Sequence, residues 1–261
     1  MKRPLILIAA LFLLLPSLGL ANTLTIRLGY FIPGFKDFDN TGNSLWSIEF
    51  DQMSFLKRDF QEGVLGVTYD YFVSRQLSLG ISVDTYNKSK AGFYRDWVGY
   101  EFDEGTFAFP LEYDSQNAFS IAHNLNVSIT PVIVSVKLTP LGRRNKVVPY
   151  LGAGAGIYFW TVSMRGEIVD FSDEWIYEDE EVGDVPIYGI AITNARESRI
   201  NFGYQAFAGI MVPIAQRLTI DVGATYSAAR GKFRNSEYGF EGFDDFDLGG
   251  ITIAAGINYW F

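Results

Sequence analysis

Residues 250–261, GITIAAGINYWF, decide the fold. Ile251, Ile253, Ala255, Ile257, Tyr259 and Phe261 fall on one parity, and Thr252, Ala254, Gly256, Asn258 and Trp260 on the other. Successive side chains of a strand point to opposite faces. One face is therefore a continuous apolar row ending in two aromatics, while the other is small and partly polar. A strand that meets lipid outside and a packed lumen inside has this pattern.

The same alternation recurs upstream. Residues 23–31 place Leu24, Ile26, Leu28 and Tyr30 opposite Thr25, Arg27 and Gly29. Residues 64–73 and the stretch from Leu77 form a hairpin across Ser74-Arg75-Gln76. Further strands are predicted over 118–138, 147–163, 199–212 and from Leu218 to about Tyr226. In 118–138 the apolar parity changes from Ile121, Leu125, Val127 and Ile129 to Val132, Val134, Val136 and Leu138. That change predicts a bulge near Thr130 and Pro131. Gly152, Gly154 and Gly156 share one face and leave room for large neighbours. They do not form a phosphate loop, because no Lys-Ser/Thr follows and both flanks are strand.

Short connections alternate strictly with long ones at about 34–61, 87–117, 165–197 and 232–247. The predicted fold is all-β: an eight-stranded antiparallel up-and-down transmembrane barrel with long extracellular loops. The rival is a soluble barrel or sandwich of lipocalin type, with its apolar rows inward. The residues opposite the apolar rows are mostly Gly, Ala, Ser, Thr and Asn, without the Lys and Glu density of a solvated face.

The ends and the composition fit this fold. Lys2 and Arg3, the apolar run 5–15 and Gly19-Leu20-Ala21 have the organisation of a secretory signal, predicted over 1–21 and cleaved after Ala21. The barrel domain is then 22–261. With no Cys, an exported fold must be held by its sheet and core. A net charge of −9 is the wrong sign for a nucleic-acid partner.

The leader, the eight strands and the final Asn258-Tyr259-Trp260-Phe261 resemble the eight-stranded outer-membrane barrels of the OmpA, OmpX and OmpW type. The resemblance implies the outer membrane of a Gram-negative-type bacterium and a barrel without a following periplasmic domain. It implies outer-membrane lipids, lipopolysaccharide, the barrel-assembly machinery and periplasmic chaperones as partners. A monomer without cofactor is expected, with Tyr259 and Phe261 as the closing-strand assembly signal. It offers two roles: a structural or surface-interaction protein, or an OmpW-like narrow channel or binding protein for small hydrophobic solutes.

Candidate sites lie in the lumen and the loops. The inward parity carries Arg27, Asp70, Asp84 and Asp221. A buried Arg among carboxylates must be paired, so these predict a charge network that either stiffens the barrel or gates it. The third loop is acidic, and Asp173, Glu174, Glu178, Asp179, Glu180 and Glu181 form a possible cation or partner site. The first loop holds Leu45, Trp46, Ile48, Phe50 and Phe55, and the second Phe93, Trp97, Tyr100, Phe107 and Phe109. These predict loops packed on one another, an apolar pocket above the lumen, or an adhesive surface. Arg75, Arg143, Arg144, Lys146 and Arg217 make the opposite, short-turn end basic.

His123 shares the parity of Ile121 and Leu125 and is expected to face outward. Eight-stranded lipid A deacylases use a His-x-Ser arrangement, but residue 125 is Leu. No catalytic residue is assigned, and one His without Cys makes no metal cluster. A Ser or acid within hydrogen-bond reach of His123 would reopen the enzymatic possibility, with lipid A modification as the distant alternative.

Overall fold

The computed structural model describes residues 22–35, 43–142, 145–179, 183–233, 240 and 243–261. The predicted signal lies outside them, as do Glu180, Glu181, Arg143 and Arg144. Strands are β1 (Asn22–Pro33), β2 (Glu62–Phe72), β3 (Leu77–Phe93), β4 (Trp97–Phe102), β5 (Gly105–Pro110), β6 (Ala122–Leu138), β7 (Val148–Asp179), β8 (Gly183–Pro213), β9 (Leu218–Gly231), β10 (Phe246–Asp247) and β11 (Gly250–Trp260). One α-helix, α1, spans Leu45–Gln52.

Eight of these strands close a ring in the order β1-β2-β3-β6-β7-β8-β9-β11 and back to β1. Every neighbouring pair is antiparallel. The closing contact pairs Thr23 with Trp260 and continues to Pro33 opposite Gly250. The strand that first revealed the alternation thus seals the barrel against the first strand.

The outward rows are apolar and uncovered. Leu28 is 69% exposed, Val134 62%, Phe202 71% and Ile257 57%. A soluble protein does not leave a continuous apolar belt of this kind on its outside. On β8 the belt runs from Ile210 to Ile200, about 33 Å along the strand. At a tilt near 40° this is about 25 Å of height, the thickness of a transmembrane barrel's apolar band. The barrel wall therefore faces lipid.

Two expectations are corrected. Pairing of β6 with β3 and β7 keeps one register past Thr130 and Pro131, so no bulge exists there. The inward parity of β6 is odd throughout: Ile121, His123, Leu125, Val127 and Ile129 above, Ile133, Ser135 and Lys137 below, all buried. What changes along the strand is the lumen, apolar at the loop end and polar further down. His123 accordingly faces inward.

The second correction concerns the loops. The third connection is a β-hairpin, since β7 and β8 run 32 and 31 residues and stay paired to Asp179 opposite Gly183, with one register shift between Asp170 and Glu174. Within the second connection, β4 and β5 form another hairpin. Above the ring, β8 leaves β9 and pairs with β5 through Gly189 opposite Phe107. The result is a second sheet, β7-β8-β5-β4, standing on the barrel rim.

The glycine expectation holds for its packing reason. A Cβ on Gly152 would meet the Phe207 ring at 2.4 Å, and one on Gly156 would meet the Val132 carbonyl at 2.1 Å.

Candidate functional site

The lumen is filled in layers. At the short-turn end Phe72 stacks on Trp260 with ring centroids 5.2 Å apart, and Trp260 Nε1 donates to Thr219 Oγ1 at 2.7 Å. Outside this floor a vestibule of about 650 Å³ opens, lined in part by Arg75, Met211, Arg217 and Phe261.

Charges come next. Arg27 binds Asp84 in a fork, with Nη2 2.7 Å from Oδ2 and Nε 3.1 Å from Oδ1. Asp70 is held by Lys137 and by the Thr23 hydroxyl at 3.4 Å. Asp221 accepts from Tyr150 Oη at 2.7 Å. The four predicted residues therefore share a polar layer but join no single network. Each has its own partner, as an ion in a confined interior requires. Lys137 and Tyr150 were missed, although both lie on the inward parity of their strands. The space left is small: a cavity of about 30 Å³ beside Arg27, Lys137 and Asp221, and one of about 40 Å³ beside Phe31, Asp84 and Tyr158. Each admits two or three waters.

The loop end is closed by the first loop, which folds back over the barrel. Ser44 caps α1 by accepting from Ser47 N, and the helix lays Leu45, Trp46, Glu49 and Phe50 inward, all buried. Trp46 packs against Phe35, Phe50, Phe60 and Phe246 with centroids 5.1 to 6.1 Å away, and its Nε1 donates to the Asp247 carbonyl at 2.8 Å. Trp160 of β7 meets Phe233 and Phe246 from below. The first loop's Leu45, Trp46, Phe50 and Phe55 are thus consumed in a plug, whereas Tyr100, Phe107 and Phe109 of the second pack in a separate cluster on the outer sheet and Phe93 stays exposed.

A buried side-chain pair also ties the plug to the barrel wall. Glu49 Oε2 lies 2.9 Å from His123 Nε2, and both residues are buried. Phe55 and Tyr94 flank the imidazole with centroids 6.0 Å away. Burial pushes the Tyr94 phenol up to about 12, and its oxygen accepts from Val169 N at 3.2 Å. An acid is therefore in reach of His123, the condition that reopens catalysis. The pair is walled by aromatics, however, and Nδ1 of His123 has no partner among the described residues. It has the form of a strut between helix and wall.

The outer sheet carries the acidic run. Trp175 stacks edge-on against Phe107 at 5.6 Å, and Tyr177 against Phe109 at 5.2 Å, so the two hairpins are riveted through aromatics. The acids are spread along the hairpin. Asp173 accepts from Trp175 Nε1 at 2.9 Å, while Glu178 stands opposite Asp184. Hydrogen bonds from Ser172 hold the nearby Asp170 carboxyl below the usual carboxylate range. Among the described residues no three acidic or His side chains group as a metal site. Tyr259 and Phe261 pack edge-on at 5.2 Å on the outside of the short-turn end.

No protein-family model and no curated protein matches the sequence. Among solved structures, the chain is similar to Ail, the attachment invasion locus protein of Yersinia pestis, at 12% identity over 92% of this chain and 99% of that one, with a TM-score of 0.40. Neisserial surface protein A matches at 10% identity over 92% and 97%, TM-score 0.42. The outer membrane protein AlkL matches at 12% over 95% and 94%, TM-score 0.37. Likeness of this degree transfers no residue role, and the fold rests on the chain's own strand register.

Proposed function

We propose that this protein is a closed outer-membrane barrel whose role is structural and surface-interactive, anchoring the sheet β7-β8-β5-β4 outside the cell. The observation that carries this is the filling of the lumen at both ends, by Phe72 and Trp260 below and by Trp46, Phe60 and Phe246 above. An eight-stranded ring has an interior about wide enough for side chains alone. Here side chains occupy it, while β7 and β8 continue well past the lipid belt. Length invested outside, with little space inside, favours display over passage.

Uptake of small hydrophobic solutes needs an apolar space beneath the loops. The cavity nearest the plug is about 40 Å³, too small for a hydrocarbon of several carbons. For the His123–Glu49 pair we favour a strut over a catalytic role, since its walls are rings, Nδ1 of His123 has no hydrogen-bond partner among the described residues and the flanking Tyr94 hydroxyl is engaged by Val169 N.

Proteoliposomes test the choice. Vesicles carrying the full barrel should admit a toluene-sized probe no faster than protein-free vesicles. Accelerated uptake, abolished by enlarging the Trp46 plug, would favour the solute channel instead.

A further inference from the structure

We propose that Arg165 and Arg196, on the outer wall of the barrel above the lipid belt, bind a phosphate of a glycolipid in the outer leaflet. This rests on the orientation just proposed, with the β7–β8 hairpin outside the cell.

On β7 the outward row reads Ile157, Phe159, then Thr161, Ser163, Arg165. On β8 it reads Phe202, Ile200, then Ser198, Arg196, Asn194. Phe159 lies opposite Ile200, Ser163 opposite Arg196 and Arg165 opposite Asn194. Arg165 and Arg196 are therefore diagonal neighbours on one face, about 7 Å apart at Cβ. Both residues are exposed. Arg196 is four residues above Ile200, about 13 Å along the strand and about 10 Å in height. A flexible Arg reaches back from there toward the lipid surface.

The surroundings isolate these two charges. The wall beside them is a polar belt whose groups satisfy one another. Thr161 and Ser198 hydroxyls lie 2.8 Å apart, Ser89 donates to Asn124 at 2.6 Å and Asn126 to Asn87 at 2.9 Å. The cations at this level on the inward parity are paired, Lys88 with Glu62, Lys90 with Asp59 and Arg199 with Glu197, and present no charge to the outer wall. Arg165 and Arg196 have no ion-pair partner among the described residues. Glu167, opposite Ile192, closes the patch from above.

A two-Arg island, between a lipid belt and an acidic sheet on a chain of net charge −9, selects an anion at the membrane surface. The guanidinium fork fits phosphate oxygens in pairs. A lipid phosphate is the anion held at that height beside the wall, and acyl chains packed on Phe159 and Ile200 would add to its retention.

The test uses the full chain in nanodiscs and native mass spectrometry, with bisphosphoryl lipid A and dephosphorylated lipid A as probes. Each arginine near a charged surface contributes enough for two to give a preference of about 30-fold for the phosphorylated lipid. The wild type should show it. R165Q/R196Q should fall to within about threefold of no preference while retaining its barrel, and R165K/R196K, which keeps the charges but loses the forks, should fall between the two. Equal retention of both lipids by the wild type overturns the proposal, as does full preference in a folded R165Q/R196Q barrel. Displacement of the lipid by inorganic phosphate alone, at the concentration of lipid, would assign the site to a soluble anion and overturn the lipid source. Orientation is read separately, by protease added to intact cells, so a wrong orientation and an empty site give different results.

Discussion

Replacing Glu49 by Ala should unseat α1 without melting the barrel. Glu49 and His123 are 3% and 4% exposed and 2.9 Å apart, and Nδ1 of the imidazole is already unpartnered. Removing the carboxylate leaves Nε2 buried without a partner as well. An unsatisfied buried polar group costs about 1–3 kcal/mol, and a broken buried ion pair about 3–5 kcal/mol. A value near 3 kcal/mol is expected, which raises the opening equilibrium of the plug roughly 150-fold. Hydrogen exchange reads it directly: amides of residues 45–60 should exchange faster by that factor, while amides of β1 and β11 stay protected. Glu49→Met combined with His123→Leu removes both polar groups and should restore most of the protection, giving a coupling of about 2 kcal/mol in a double-mutant cycle. Unchanged exchange in Glu49→Ala, or strict additivity in the cycle, would refute the strut.

Three further outcomes follow from the geometry. Lys137→Met leaves Asp70 with the Thr23 hydroxyl alone and should cost about 3–5 kcal/mol in a urea unfolding series in micelles, most of it recovered when Asp70 is also made Leu. Tyr94 keeps its proton to about 12 in the fold, against about 10 when unfolded. Its contribution is thus fully present below pH 10 and is lost as pH rises toward 12, up to about 2–3 kcal/mol, a loss that Tyr94→Phe should remove from the alkaline stability profile. Val134→Arg on the lipid belt should cost about 2–4 kcal/mol in bilayers, whereas Ile192→Arg, 88% exposed but above the belt, should cost almost nothing; equal costs would contradict the lipid boundary.

The barrel was legible because lipid and lumen enforce a period of two. The row Ile251, Ile253, Ile257 and Tyr259 needed no tertiary knowledge to assign. The same rule also held Lys137 and Tyr150, which fall on the inward parity and could have been paired with Asp70 and Asp221 from sequence. It misled at His123. There the pattern inverts: the outward row of Asn124, Asn126 and Ser128 has left the lipid and is polar, while α1 makes the inside apolar, so Ile121, Leu125 and Val127 look lipid-facing when they face the plug. The contact that explains this joins residues 74 apart in sequence. Local pattern carries no trace of such a contact. The hairpins above the rim were hidden for another reason. Outside the membrane β7 and β8 no longer need an apolar side, so their alternation fades into an acidic run that resembles a loop, although their backbone pairing persists.

The closed lumen is tested most directly by planar-bilayer recording of the purified full chain. The filled interior predicts no steady current above the bare membrane at moderate voltage. A stable open state in the wild type, with defined unit conductance, would contradict it.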